Sequence, residues 1–124
     1  MEKDELLGKE LCNLYAIAKQ VNRYFNESDI GCLSENVERM LSKYILFSRN
    51  NEVQVSKTLR KLSINPGNTT DSVVHEILEN LDEIATQKGC SDEVRELGYT
   101  MSLNRLVSYH AANISNLELG LRTL

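Results

Sequence analysis

The chain has 124 residues, of which 41% are hydrophobic and 26% charged, and its formal net charge is −4. That length bounds it to one domain, large enough to bury a core without disulfide or metal staples. The acidic balance, with no dense run of Lys and Arg, excludes a nucleic-acid footprint, and no apolar run approaches the roughly 20 residues of a membrane span.

There is one proline, Pro66, and the β-branched and aromatic runs that mark strands are missing. Apolar residues instead recur at the three- and four-residue spacing of a helix face. The first predicted helix covers 3–26, with Leu7, Leu11, Leu14, Ala18, Val21 and Phe25 on one side. It runs into Asn26-Glu27-Ser28-Asp29-Ile30-Gly31, a loop by composition.

The second helix is predicted over 34–63, with Ser34 as N-cap and Glu35 in the positive first turn. Its stripe is Val37, Leu41, Tyr44, Ser48, Asn51, Val55, Leu59 and Leu62, so its middle carries small polar groups on the apolar face. Asn65-Pro66-Gly67-Asn68 is the strongest turn signal in the chain.

The third helix is predicted over 71–88, capped by Thr70 or Asp71. It turns Val74, Ile77, Leu81 and Ile84 inward and stops near Lys88-Gly89. The fourth covers 91–123, with Ser91 as cap, Asp92 and Glu93 in its first turn, and a stripe of Leu103, Val107, His110, Ile114, Leu117 and Leu121. Each helix has one apolar side, and short loops make antiparallel neighbours the default. The expected fold is therefore all-α: a single domain over 1–124, an antiparallel up-and-down four-helix bundle.

Little in these helices carries chemistry. A di-metal bundle needs Glu-x-x-His on two helices, because the i, i+3 spacing sets both ligands on one inward face. Ser72 stands three residues before His75 and Val107 three before His110, and these are the only two histidines. The inward stripes hold no carboxylate. Ser108 and His110 are two apart on a helix and point away from each other, so they form no nucleophile–base pair. Asp82/Glu83 and Asp92/Glu93 read as solvent-facing and capping acids, and Lys57, Arg60 and Lys61 as one basic helix face. No cofactor, metal or catalytic residue is expected.

Cys12, Cys32 and Cys90 are odd in number and match no metal knuckle. Together with the charged start Met1-Glu2-Lys3-Asp4-Glu5, which is unlike a signal peptide, they imply reduced thiols and a cytoplasmic location. Cys90 lies beside a helix start, the one place where a lowered thiol pKa is conceivable. His75 suggests an alternative, because phosphorelay domains are four-helix bundles with one exposed helical histidine; Glu76 follows it instead of the usual context. His110, on an apolar stripe, reads as a core or half-buried histidine with one hydrogen-bond partner; the sharper alternative groups it with Tyr44, Ser48 and Asn51, near the middle of their stripes, as a candidate internal polar network.

Leu14-Tyr15-Ala16-Ile17-Ala18-Lys19-Gln20 resembles the Leu-Tyr-Ala-x-Glu-Lys-Gln segment of the YciE/YciF-type ferritin-like stress proteins. In that family the glutamate is a metal ligand; here Ala18 holds its place, while Leu14, Tyr15, Lys19 and Gln20 keep the frame. Gln54 to Leu62 with the following Ser63-Ile64-Asn65-Pro66-Gly67 resembles the end of the family's second helix and its loop. Tyr109-His110-Ala111-Ala112 is similar to a Glu-x-Ala-Ala stretch of the fourth, with Tyr109 in the acid's place. The resemblance implies a ferritin-like bundle without a di-metal centre: a non-catalytic scaffold or interaction module connected with stress. The alternatives are a signalling module, phosphorelay-like or binding a partner helix, and a metal protein with an unrecognised site. The family runs on into a further helix, so a second copy is expected to supply what this chain lacks, as a homodimer.

Overall fold

Helix α1 spans Lys3–Glu27, α2 Glu35–Lys61, α3 Ser72–Thr86 and α4 Asp92–Arg122 in the computed structural model, which describes residues 1–28 and 33–122. No strand occurs among the described residues. Cys32, the Asp29-Ile30-Gly31 part of the expected first loop and position 123 of the fourth helix lie outside them.

Local chemistry sets the ends. Asp71 caps α3, its Oδ1 accepting the Val74 N–H at 2.8 Å, and Ser91 Oγ accepts the Val94 N–H ahead of α4 at 3.2 Å. Ser34 holds the capping position of α2 but makes no side-chain cap; its backbone N–H donates to Glu96 Oε1 of α4 at 2.7 Å. The third helix ends at Thr86, two residues before the expected stop. Gln87 leaves the helical conformation, and Gly89, with φ of 85°, makes the turn toward α4. The Asn65–Asn68 segment is a turn: Asn65 Oδ1 accepts the Gly67 N–H at 2.9 Å, and Gly67 adopts a φ of 60°.

The second helix closes with a Schellman pair. The Ile64 N–H donates to Leu59 O at 2.9 Å and the Ser63 N–H to Arg60 O at 3.1 Å. This closure forces a φ of 55° on Ser63, the only positive-φ residue other than glycine among those described. Ile64 packs back onto the cluster that contains Leu59, the apolar contact that goes with this motif. A side chain in the left-handed region is strained by about 1–2 kcal/mol, part of which glycine would give back in unfolded-state entropy. Ser63→Gly is expected to stabilise the chain by about 0.5–1 kcal/mol, seen as a Tm higher by about 2–4 °C in a calorimetric scan. An unchanged or lower Tm would refute the assignment of strain to this residue.

Packing is uneven. Helices α1 and α4 each touch all the others, while α2 and α3 are not neighbours. Two apolar clusters result. The larger joins all four helices through Ile17, Val21, Leu41, Leu81, Leu103 and Leu106, each essentially without exposure. The smaller, around Leu11, Leu14, Val55 and Leu59, contains no residue of α3. The cause is length: α3 has 15 residues against 25, 27 and 31 in the others, so it covers only about 22 Å of the assembly.

This unevenness corrects several expected core positions. Leu62 and Leu121, at the ends of their stripes, are 57% and 52% exposed because no fourth helix reaches that end. Val107, Ile114 and Leu117 are only half-buried, as are Ile77 and Ile84. Conversely Tyr99, Ser102 and Leu106 of α4, Leu78 of α3, and Ala16 and Ile17 of α1 are buried, because α1 and α4 are covered from several sides at once.

Candidate functional site

The polar residues in the middle of α2 come first in any search for chemistry. Along this helix Tyr44, Ser48 and Asn51 follow one another at three- and four-residue steps, so the helix turns all three to the same side. That side is buried throughout, from Val37 to Leu59. Opposite stands His110 of α4, with no exposure at all.

The structure brings three of these four groups into one hydrogen-bonded chain. Tyr44 Oη lies 2.8 Å from His110 Nδ1, and His110 Nε2 lies 2.9 Å from Asn51 Oδ1. A carbonyl oxygen can only accept, so the proton of the ring resides on Nε2, which donates to Asn51. Nδ1 is then the acceptor, and the Tyr44 hydroxyl donates to it. The chain runs in one direction with every proton assigned. Rings close it in: Tyr44 and Phe47 meet the imidazole edge-on, with centroids 5.7 and 5.5 Å away.

Ser48 shares the layer but not its bonding. Its Oγ is buried without a hydrogen-bond partner, while its backbone carbonyl accepts from Asn22 Nδ2 of α1 at 3.3 Å. Asn22 Nδ2 also donates to Glu52 Oε1 at 2.8 Å.

Burial decides the electrostatics. It pushes His110 down from its ordinary 6.5 to about 4, and the Tyr44 hydroxyl well above its ordinary 10. Both groups are therefore neutral at pH 7. A histidine that is buried, uncharged and bonded at both nitrogens is not poised as a general base or a metal ligand. No group of three or more His, Cys, Asp or Glu side chains that could hold a metal occurs among the described residues.

The residues of the segment from Leu14 to Gln20 separate into different roles. Leu14 is core, and Ala18 is fully buried. Tyr15 is half-buried with the ammonium of the exposed Lys19 5.8 Å from its ring centre, a weak cation–π contact. Gln20 is a staple. Its Oε1 accepts the Asp71 N–H at 2.7 Å and its Nε2 donates to Asp71 O at 3.1 Å. Tyr109 of α4 donates its hydroxyl to Asp71 Oδ2 at 2.7 Å. Burial, then this carboxylate, holds the Tyr109 pKa above its ordinary value. The start of α3 is thus tied to α1 and to α4 through one aspartate. Sequence reasoning placed Asp71 only as a cap; nothing in the spacing points to a partner 51 positions earlier.

The remaining candidates stay apart. His75 is on the open face of α3, its Nε2 3.0 Å from Glu79 Oε1, with both side chains more than half exposed. Cys12 and Cys90 are free thiols, both half-buried. Lys57, Arg60 and Lys61 are all exposed. No helix among the described residues is long and apolar enough to cross a membrane. Neither a protein-family model, nor a curated protein, nor a solved structure matches this chain.

Proposed function

We propose that the chain is a non-catalytic interaction module, an antiparallel up-and-down bundle of the ferritin-like kind in which a neutral hydrogen-bonded layer stands where related bundles hold metal. The observation that carries this reading is the Tyr44–His110–Asn51 chain, which uses both nitrogens of the only buried histidine. The antiparallel arrangement is supported by pairs of contacts at opposite ends. A Cβ at Gly8 of α1 would meet Ile64 just past the end of α2, and Asn22 reaches Ser48 and Glu52 further back. A Cβ at Gly120, near the end of α4, would meet Leu7 near the start of α1. A connection with stress rests on the family resemblance alone.

The interaction face is the outer groove between α2 and α4. It encloses about 550 Å³ between Met40, Phe47, Val107 and Ala111, and among the described residues the charged side chains lining it are Lys43 and Arg39, the latter 3.2 Å from Glu35 Oε1. Met40 and Phe47 are 38% and 45% exposed. In a chain of net charge −4, an apolar groove lined by Lys43 and Arg39 and by no acid suits an acidic amphipathic segment of another protein.

Two measurements on the natively purified chain test the reading. Elemental analysis after expression with iron, manganese and zinc available is expected to find less than a tenth of an ion per chain; one or two tightly bound ions would overturn it. Titration with a Glu/Leu-patterned helical peptide is expected to show saturable binding that Met40→Ser/Phe47→Ser removes and that a Lys/Leu counterpart does not reproduce.

A further inference from the structure

The short third helix leaves a second space. A cavity of about 620 Å³ lies between α1, α2 and α4 in the half of the molecule that α3 does not reach. Its inner end is Leu14, Asn51 and Ile114; its outer end is Asp4, Leu62 and Leu121. The wall between carries the aliphatic side chains of Leu7, Leu11, Val55, Ile64 and Leu117, interrupted by Gln54, Thr58 and Glu118. The volume falls within the range of small-molecule sites, which are mostly apolar with a few placed polar groups.

One such group is present. Asn51 is nine-tenths buried, and its Oδ1 is committed to His110. Its Nδ2 amine has no partner among the described residues, which leaves two N–H donors at the inner wall. With its Oδ1 held by the ring, Asn51 offers only donors to whatever fills the cavity. The charges select further. Among the described residues no Lys, Arg or His lines the cavity, and the charged side chains that do are the acids Asp4 and Glu118. A carboxylate or phosphate entering here would leave water, meet acids and find no cation.

We infer that the cavity between α1, α2 and α4 binds an uncharged, largely apolar small molecule whose carbonyl oxygen accepts a hydrogen bond from Asn51 Nδ2. This site is separate from the α2–α4 groove and does not rest on the interaction-module reading. The polar layer then has two faces: His110 and Tyr44 fix the amide from one side, and the ligand satisfies it from the other.

The test uses Prodan, a neutral naphthalene ketone whose emission moves to shorter wavelength in dry surroundings, and its 6-propyl analogue without the carbonyl. The full chain is expected to bind one Prodan with a blue shift, about five- to tenfold more tightly than the analogue, the worth of one hydrogen bond. Asn51→Leu should abolish that preference. Leu117→Trp, which fills the cavity, and Thr58→Trp, which blocks its mouth from an exposed position, should each weaken binding at least tenfold. Should Leu117→Trp fail to fold, Thr58→Trp decides alone. Met40→Ser, in the α2–α4 groove, should leave binding unchanged. Absence of binding, equal affinity for both probes, survival of binding in Thr58→Trp, or its loss in Met40→Ser would each overturn the inference.

Discussion

Replacing His110 with leucine is expected to destabilise the chain by about 2–5 kcal/mol, although the two side chains are similar in size. The substitution leaves the Tyr44 hydroxyl and the Asn51 carbonyl, both in the interior, without the partner that now satisfies them. An orphaned buried polar group costs about 1–3 kcal/mol, and two are created at once. Against a total stability of about 5–15 kcal/mol for a domain of this kind, that loss is large. The physical content lies in the comparison with a triple variant, Tyr44→Phe/His110→Leu/Asn51→Leu. Removing every member of a polar chain is far cheaper than removing its centre, because no group is left stranded. The triple variant is expected to recover most of the stability lost by the single one. Urea unfolding of both, with the m-value checked for constancy, makes the measurement. A single variant within about 0.5 kcal/mol of the parent would mean that water already satisfies these groups, and a triple variant worse than the single one would mean that the layer is a net stabiliser.

The distinction bears on function. If the layer is close to neutral in stability, its presence needs another reason. A polar layer in a helical core penalises every helix register that separates its members, as a single buried polar residue does in a coiled coil. The clusters on either side consist largely of Leu, Ile and Val, which tolerate sliding more readily than a directional hydrogen bond does. The same layer orients the Asn51 amide on the wall of the inner cavity, so register and recognition are coupled through one side chain.

Much of this was legible from residue spacing, and the reasons differ by helix. The stripe of α2, drawn from Val37 to Leu62, is buried from Val37 to Leu59 because that helix packs mainly against one neighbour and keeps one exposed side. Periodicity reports a single buried arc well. Helix α4 has no such asymmetry. Its first half is enclosed by three helices, so Tyr99, Ser102 and Leu106 are buried beside Leu103, while its second half loses cover where α3 is absent. A one-sided stripe drawn along it finds His110 but misses Leu106 and overstates Leu121. The polar layer itself was legible because Ser48, Asn51 and His110 interrupt otherwise apolar stripes. Which of them bond was not. Ser48 satisfies the spacing but its hydroxyl has no partner, a matter of ångström-scale placement that spacing does not encode. The Gln20–Asp71–Tyr109 staple was out of reach for a different reason: its partners lie 51 and 38 positions apart and share no pattern.

Acid is expected to unfold the chain earlier than its carboxylates alone require. His110 is neutral in the fold, where burial lowers it to about 4, and it titrates at its ordinary 6.5 once exposed. Between these values the unfolded chain holds a proton that the folded chain does not. Stability therefore increases with pH through this window. The contribution is fully present above pH 6.5, declines as the pH falls, and is gone near pH 4. A gap of 2.5 between 6.5 and about 4 corresponds to about 3 kcal/mol. At the other extreme, Tyr44 is held protonated above its ordinary 10, so stability is expected to fall again as the pH rises past 10. The measurement is the urea midpoint at half-unit steps from pH 4 to pH 8, for the parent chain and for Tyr44→Phe/His110→Leu/Asn51→Leu. The parent should lose about 3 kcal/mol more than the variant across the window. Parallel curves would show that His110 takes up its proton inside the folded chain at its ordinary pKa. That outcome would require the core around it to admit water, and it would remove the ground for treating the layer as a dry wall of the cavity beside it.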